Sequence, residues 1–125
     1  MREYTRESLQ RVIRYGEAWA LRHGFEWHLD ARYPRLPFDG YQSDLARYEA
    51  WWVDSAVNCA YALLHGQDLR FALRCYMQVR EYGGRLGCVV NAPDSHWGDL
   101  RTVLQNALEE CLGVKDDYTR NRGEE

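Results

Sequence analysis

In four separate stretches of this chain, apolar residues return at every third or fourth position, and each stretch is followed by glycine. That spacing is the signature of one face of an α-helix. Glycine, in turn, is the residue best suited to the left-handed turn that ends a helix. The pattern leaves little room for a sheet, so the chain must bury its apolar surface by packing helix on helix.

The last stretch is the most regular. Trp97, Leu100, Val103, Leu104, Ala107, Leu108, Cys111 and Leu112 give almost unbroken helical spacing from the N-cap candidate Ser95 to Gly113. The first runs from about Thr5, a candidate cap, to His23, with Leu9, Val12, Ile13, Gly16, Trp19 and Ala20 on one face and Gly24 as its stop. The second, from Ser43 to His65, is the most apolar. Leu45, Tyr48, Trp52, Ala56, Cys59, Ala60 and Leu63 form its face, Trp51, Val57, Ala62 and Leu64 broaden it, and Arg47, Asp54, Asn58 and His65 leave only a narrow polar stripe. A helix so apolar on most sides is expected at the centre of the fold. The third is capped by Asp68 and runs to Tyr82. Leu69, Ala72, Leu73 and Tyr76 face inward with Val79 or Met77, and Gly83 and Gly84 are expected to end it. Residues 85–94 are either an extra helical turn or a buried connector.

The fold class expected is therefore all-α: a compact bundle of four helices, five at most, in one domain over residues 1–113. Phe25 to Gly40 carries two prolines and four aromatic rings without helical period, and reads as a long aromatic loop between the first two helices. Residues 114–125 carry mostly polar and charged side chains and are expected to form a frayed, flexible acidic tail.

Composition excludes several kinds of chemistry. A net charge of -3 is the wrong sign for non-specific nucleic-acid binding. No apolar run approaches the roughly 18 residues of a membrane span, and the first ten residues are charged, so a soluble, cytoplasmic protein is expected. Cys59, Cys75, Cys88 and Cys111 fit no zinc or redox spacing and read as reduced apolar packers. The histidines form no close ligand pair within one element, so neither a metal nor a cofactor is expected. No phosphate-binding loop, dinucleotide fingerprint or nucleophile elbow is present, and no catalytic residues are assigned.

The remaining signal lies in surplus rings and uneven charge. Five Trp and nine Tyr exceed what one four-helix core encloses. Trp51 and Trp52 are consecutive, about 100° apart on a helix, so both cannot face the same seam. Trp, Tyr and Arg are the side chains that anchor protein interfaces. Residues 94–125 hold eight acidic and four basic side chains, whereas residues 61–93 hold two and four. Together these features point to a small non-catalytic protein-binding module, of inhibitor or immunity type, that blocks a toxin or defence nuclease. Its partner would be a protein with a basic nucleic-acid-binding surface. The expected contact residues are Trp27, Tyr33, Trp51, Glu109, Glu110, Asp116 and Asp117. One alternative is a small-ligand binder or enzyme using a polar groove between the second and third helices, with Asp54, Asn58, Arg70 and Arg74 as contacts. Another is a helical homodimer that packs its surplus rings across a two-fold axis.

Overall fold

The computed structural model describes residues 1–25, 36, 40–66, 68–90 and 95–113, with the side chains of 87–90 and 95–99 outside that description. Its elements are α1 (Glu3–Arg22), α2 (Asp44–Leu64), α3 (Leu69–Val90) and α4 (Ser95–Leu112). The chain is all-α and forms the four-helix bundle expected from its periodicity, with no strand among the described residues. The aromatic loop, except for Phe25, Leu36 and Gly40, and the C-terminal tail lie outside the described residues.

α2 and α3 run in opposite directions, as do α1 and α4. Tyr48 meets Tyr82, Trp52 meets Gly83 and Ser55 meets Gln78 as α2 and α3 pass each other. Residues 2 and 5, at the start of α1, meet Glu110 near the end of α4. α2 packs against all three other helices, whereas α1 and α3 do not pack on each other among the described residues. The position of α2 follows from its sequence. From Ala50 to Ala60 every residue but Trp51 is buried, and the buried cluster of the molecule is built around this segment. Trp52 is 1% exposed while Trp51 stays half-buried, as their 100° separation requires.

Local chemistry sets the helix ends. Ser43 Oγ accepts a hydrogen bond from the Ala46 amide at 3.1 Å, the expected N-cap of α2. Gly24 (φ +77°) and Gly66 (φ +60°) take the left-handed conformation just beyond α1 and α2. α1 departs from expectation. It begins at Glu3, its N-cap Arg2 makes no side-chain cap, and the Thr5 hydroxyl donates to Glu110 instead of capping the helix.

α3 departs further, because it continues through Gly83 and Gly84 to Val90 instead of ending at Tyr82. A Cβ on Gly83 would lie 3.2 Å from Trp52 Nε1, tighter than almost any real contact. Gly83 is there so that α3 can come close to the largest ring of α2. That close approach offsets the roughly 0.5–1 kcal/mol that glycine costs inside a helix. Residues 85–90 thus belong to α3, and Leu86 joins the core.

The inward face expected for α3 is only partly inward. Ala72, Cys75, Tyr76 and Val79 are buried, but Leu69, Leu73 and Met77 are 38%, 43% and 55% exposed. On a 3.6-residue helix these three lie to one side of the buried arc, beyond the reach of α2. Cys111 and Leu112 are likewise exposed, because the apolar pattern of α4 outruns the helices it packs on.

Candidate functional site

The surplus rings gather on the outer side of the α2–α3 hairpin. Tyr48 and Trp51 are neighbours at i and i+3 on α2, and the antiparallel register brings Tyr82 of α3 against both. Tyr48 and Trp51 meet edge to face at 6.1 Å, Trp51 and Tyr82 lie 5.4 Å apart, and Tyr48 stacks with Tyr82 at 6.4 Å. All three rings are half-buried.

Two guanidiniums frame this cluster. The Arg47 carbon Cζ lies 5.3 Å from the Tyr48 ring centre and 5.5 Å from that of Trp51, and the Arg85 Cζ lies 5.4 Å from the Tyr48 ring centre. These are cation–π distances. Each arginine is also tied to a carboxylate on its own helix, Arg47 to Asp44 at 2.8 Å and Arg85 to Glu81 at 3.3 Å. The hydrogen bond that Arg85 donates to Glu81, then its interaction with the Tyr48 hydroxyl, raises the Arg85 pKa further, so that its charge is permanent. The patch therefore offers aromatic edges and faces already held in place, at little further loss of rotamer freedom on binding.

Of the contact residues expected from sequence, Trp51 lies at the centre of this patch, while Trp27, Tyr33, Asp116 and Asp117 are outside the described residues. Glu109 and Glu110 have internal partners. Glu109 is buried and accepts from Gln105 Nε2 at 3.5 Å, and Gln105 in turn accepts from the Tyr76 hydroxyl at 2.8 Å. Glu110 reaches across to α1, where it accepts from the Arg2 amide and the Thr5 hydroxyl, both at 2.7 Å, and pairs with the Arg2 guanidinium at 3.4 Å. A carboxylate at the N-terminus of α1 meets amides that lack intrahelical partners and the positive end of the helix dipole. Partial burial pushes the Glu110 pKa up, but the hydrogen bonds from Thr5 and Arg2 outweigh it and leave the group below its ordinary value. Glu110 is thus a cap for α1 supplied by α4.

The residues of the alternative polar groove are not gathered in one place. Asp54 is buried and accepts from the Leu36 amide at 2.8 Å, fixing the α1–α2 connection to the central helix. Asn58 is buried one turn on and donates to the Asp54 carbonyl at 2.8 Å. Arg70 and Arg74 are exposed on α3, and the depression that Arg74 lines includes neither Asp54 nor Asn58.

Three surface depressions flank α4. One of about 630 Å³ lies between α1 and α4, with Arg2, Tyr4, Arg11, Tyr15, Leu100 and Asn106 among its walls. Two others, of about 540 and 380 Å³, lie along α3 and share Arg80 and Arg101.

Cys59 and Cys75 pack as apolar groups, as their spacing implies, and burial pushes the Cys59 thiol well up, so that it stays protonated. The Cys111 thiol is raised too, by desolvation and then by the nearby Glu110 carboxylate. Among the described residues no three His, Cys, Asp or Glu side chains converge as metal ligands. No helix among them is long and apolar enough to cross a membrane.

Tyr48, Tyr82, Arg47 and Arg85 are not legible as site residues from sequence, because Tyr48 falls on the apolar face of α2 and Tyr82 directly precedes the two glycines expected to end α3. The signal was the i, i+3 spacing of Tyr48 and Trp51, read together with the hairpin register. Comparison with protein-family models, with curated proteins and with solved structures finds no match to this chain.

Proposed function

We propose that this protein is a non-catalytic protein-binding module whose main contact is the patch formed by Tyr48, Trp51 and Tyr82 between Arg47 and Arg85. The observation that carries this reading is the convergence of three half-buried rings and two guanidiniums on one outer face of the hairpin. Aromatic and arginine side chains dominate binding energy at protein interfaces because they bury a large area with few rotatable bonds. The inhibitor or immunity-type role is a use of this same contact, with the module covering the working surface of a toxin or a defence nuclease. Of the expected contact residues that are described, Trp51 supports the reading, whereas Glu109 and Glu110 are engaged within the fold.

The test is affinity capture from cells of the source organism with the full chain as bait, alongside Trp51→Ala and a control on a distant exposed residue, Leu21→Ala. A partner retained by the wild type and by Leu21→Ala but lost from Trp51→Ala is expected. With the purified partner, Trp51→Ala should weaken the dissociation constant by at least about thirtyfold, the ~2 kcal/mol of a dominant interface ring. A partner that binds both variants as tightly as the wild type would sink the proposal.

A further inference from the structure

We infer that the groove between α3 and α4 is a second docking surface, separate from the aromatic patch, and that its occupant is an amphipathic helix of a partner protein with Asp and Glu flanking its apolar stripe.

Its floor comes from the residues of α3 that the bundle leaves uncovered. Leu69, Leu73 and Met77 recur at i, i+4 and i+8, so they lie in one row along the helix, and each is more than a third exposed. Leu112, at the end of α4, is 46% exposed and lines the same groove as Leu73. The two depressions along this row adjoin, with Arg80 and Arg101 as common walls, and together make up the trough. From Leu69 to Arg80 the row covers about 17 Å at 1.5 Å per residue, the length of three helical turns. That is the footprint of a helix presenting anchors at i, i+4 and i+7.

Charge selects the occupant. Arg74, Arg80 and Arg101 line the trough, and among the described residues none of them has an ion pair. The two carboxylates beside them are occupied, Glu81 by Arg85 and Glu109 by Gln105. Three guanidiniums against Glu109, the one lining carboxylate not paired with an arginine, leave the rim net positive, and residues 61–93 carry a net charge of +2 within a chain of net charge -3. A second copy pairing its own α3 across a two-fold axis would set arginine against arginine, which is unfavourable. A neutral apolar helix would fill the floor but leave the guanidiniums unpaired. A helix with carboxylates on either side of its apolar row satisfies both parts, each guanidinium donating a fork of charge-assisted hydrogen bonds to a carboxylate.

The experiment selects binders from a displayed library of random 16-residue peptides against the full-length protein. Enriched peptides are synthesised and measured by fluorescence anisotropy. Peptides with net negative charge and apolar residues at i, i+4 and i+7 are expected. Their affinity should fall at least tenfold in Leu73→Ser with Met77→Ser and in Arg80→Glu with Arg101→Glu. It should also weaken as salt is raised and stay unchanged in Trp51→Ala. Leu73, Met77, Arg80 and Arg101 are exposed, and circular dichroism confirms that the variants are folded. Enrichment of neutral or basic peptides, or binding indifferent to both double variants, overturns the inference. So does a wild-type dimer in sedimentation velocity that Leu73→Ser with Met77→Ser makes monomeric, because the occupant is then a second copy. An affinity gain of fivefold or more in Asp116→Asn with Asp117→Asn overturns it as well, in favour of the chain's own acidic C-terminal residues.

Discussion

The α2–α3 seam and the attachment of α4 to the bundle are built in different ways. Along the α2–α3 hairpin, small and large apolar residues interlock: Ala56, Cys59 and Ala60 of α2 are buried with Ala72, Cys75 and Val79 of α3, and Gly83 admits Trp52. α4 is held instead by a few polar links, Glu110 to the start of α1 and Gln105 to Tyr76, beside a smaller apolar strip of Leu104, Ala107 and Leu108. Depressions open on both flanks of α4, and none of the three has a residue of α2 in its lining. Steric interlock fixes distance and register along a whole interface. A polar latch fixes one point and leaves the surface around it open. A small bundle built in both ways keeps a rigid half, on which the aromatic patch is displayed, and a more open half with grooves available for binding.

If that contrast holds, the hairpin should be far less tolerant of substitution than the latches. Trp52→Ala is expected to be the most damaging single change, at about 4 kcal/mol of unfolding free energy, since it removes a fully buried indole and leaves a cavity between α2 and α3. Urea denaturation followed by circular dichroism measures this, and a loss below about 1.5 kcal/mol would mean that the seam collapses easily and is not interlocked. Gly83→Val should cost about 2–3 kcal/mol by overpacking, because the nearest atom to the new side chain belongs to a buried ring and not to a flexible tip. Gly84→Ala is its internal control. Nothing lies near a Cβ at that position, so the substitution should stabilise α3 by up to about 1 kcal/mol.

The contrast between the two glycines also marks how far the sequence alone reaches. Helical periodicity is repeated many times over in each segment, so the four helices, the central place of α2 and the split between Trp51 and Trp52 could all be read from spacing. Gly83 could not, because a glycine that ends a helix and one that admits a neighbouring ring look alike until the partner helix is in place. Thr5 presents the same ambiguity: it has the composition of a cap but serves as a donor to a residue 105 positions away. The outer row of α3 was misjudged for a related reason. Spacing shows that Leu69, Leu73 and Met77 share a side of the helix, but only the positions of α2 and α4 decide whether anything covers it. Of the candidate site, Trp51 was legible as a ring that had to face outward, whereas Tyr82 and Arg85 required the hairpin register.

The polar latch should show smaller, pH-dependent effects. The Glu110 carboxyl lies below its ordinary pKa in the folded protein, so the latch contributes fully above the unfolded value of roughly 4.3 and is lost as pH falls through the lower folded value. Glu110→Gln should therefore cost about 1–2 kcal/mol at pH 7, and the difference from the wild type should shrink towards zero below about pH 4. A penalty that stays constant over that range would mean that Glu110 acts through packing and not through its charge. Arg2→Ala should lose much less, since its guanidinium is largely exposed and its backbone amide, which the substitution keeps, makes the shorter bond.

The smallest effect is expected on the outer row of α3. Leu73→Ser and Met77→Ser remove apolar side chains, yet about half of each already faces water, and the buried arc of Ala72, Cys75, Tyr76 and Val79 is untouched. Each should change the urea midpoint by no more than the equivalent of about 0.5 kcal/mol, with the slope of the transition unchanged. Ala72→Ser, one position away but fully buried, is the matching control, and should cost about 1–3 kcal/mol because it takes a hydroxyl out of water into the core. Equal penalties at positions 72 and 73 would make the outer row part of the core and the open half of the bundle as tightly specified as the hairpin. A clear difference between them would show that these leucine and methionine side chains add little to folding and are free to serve binding.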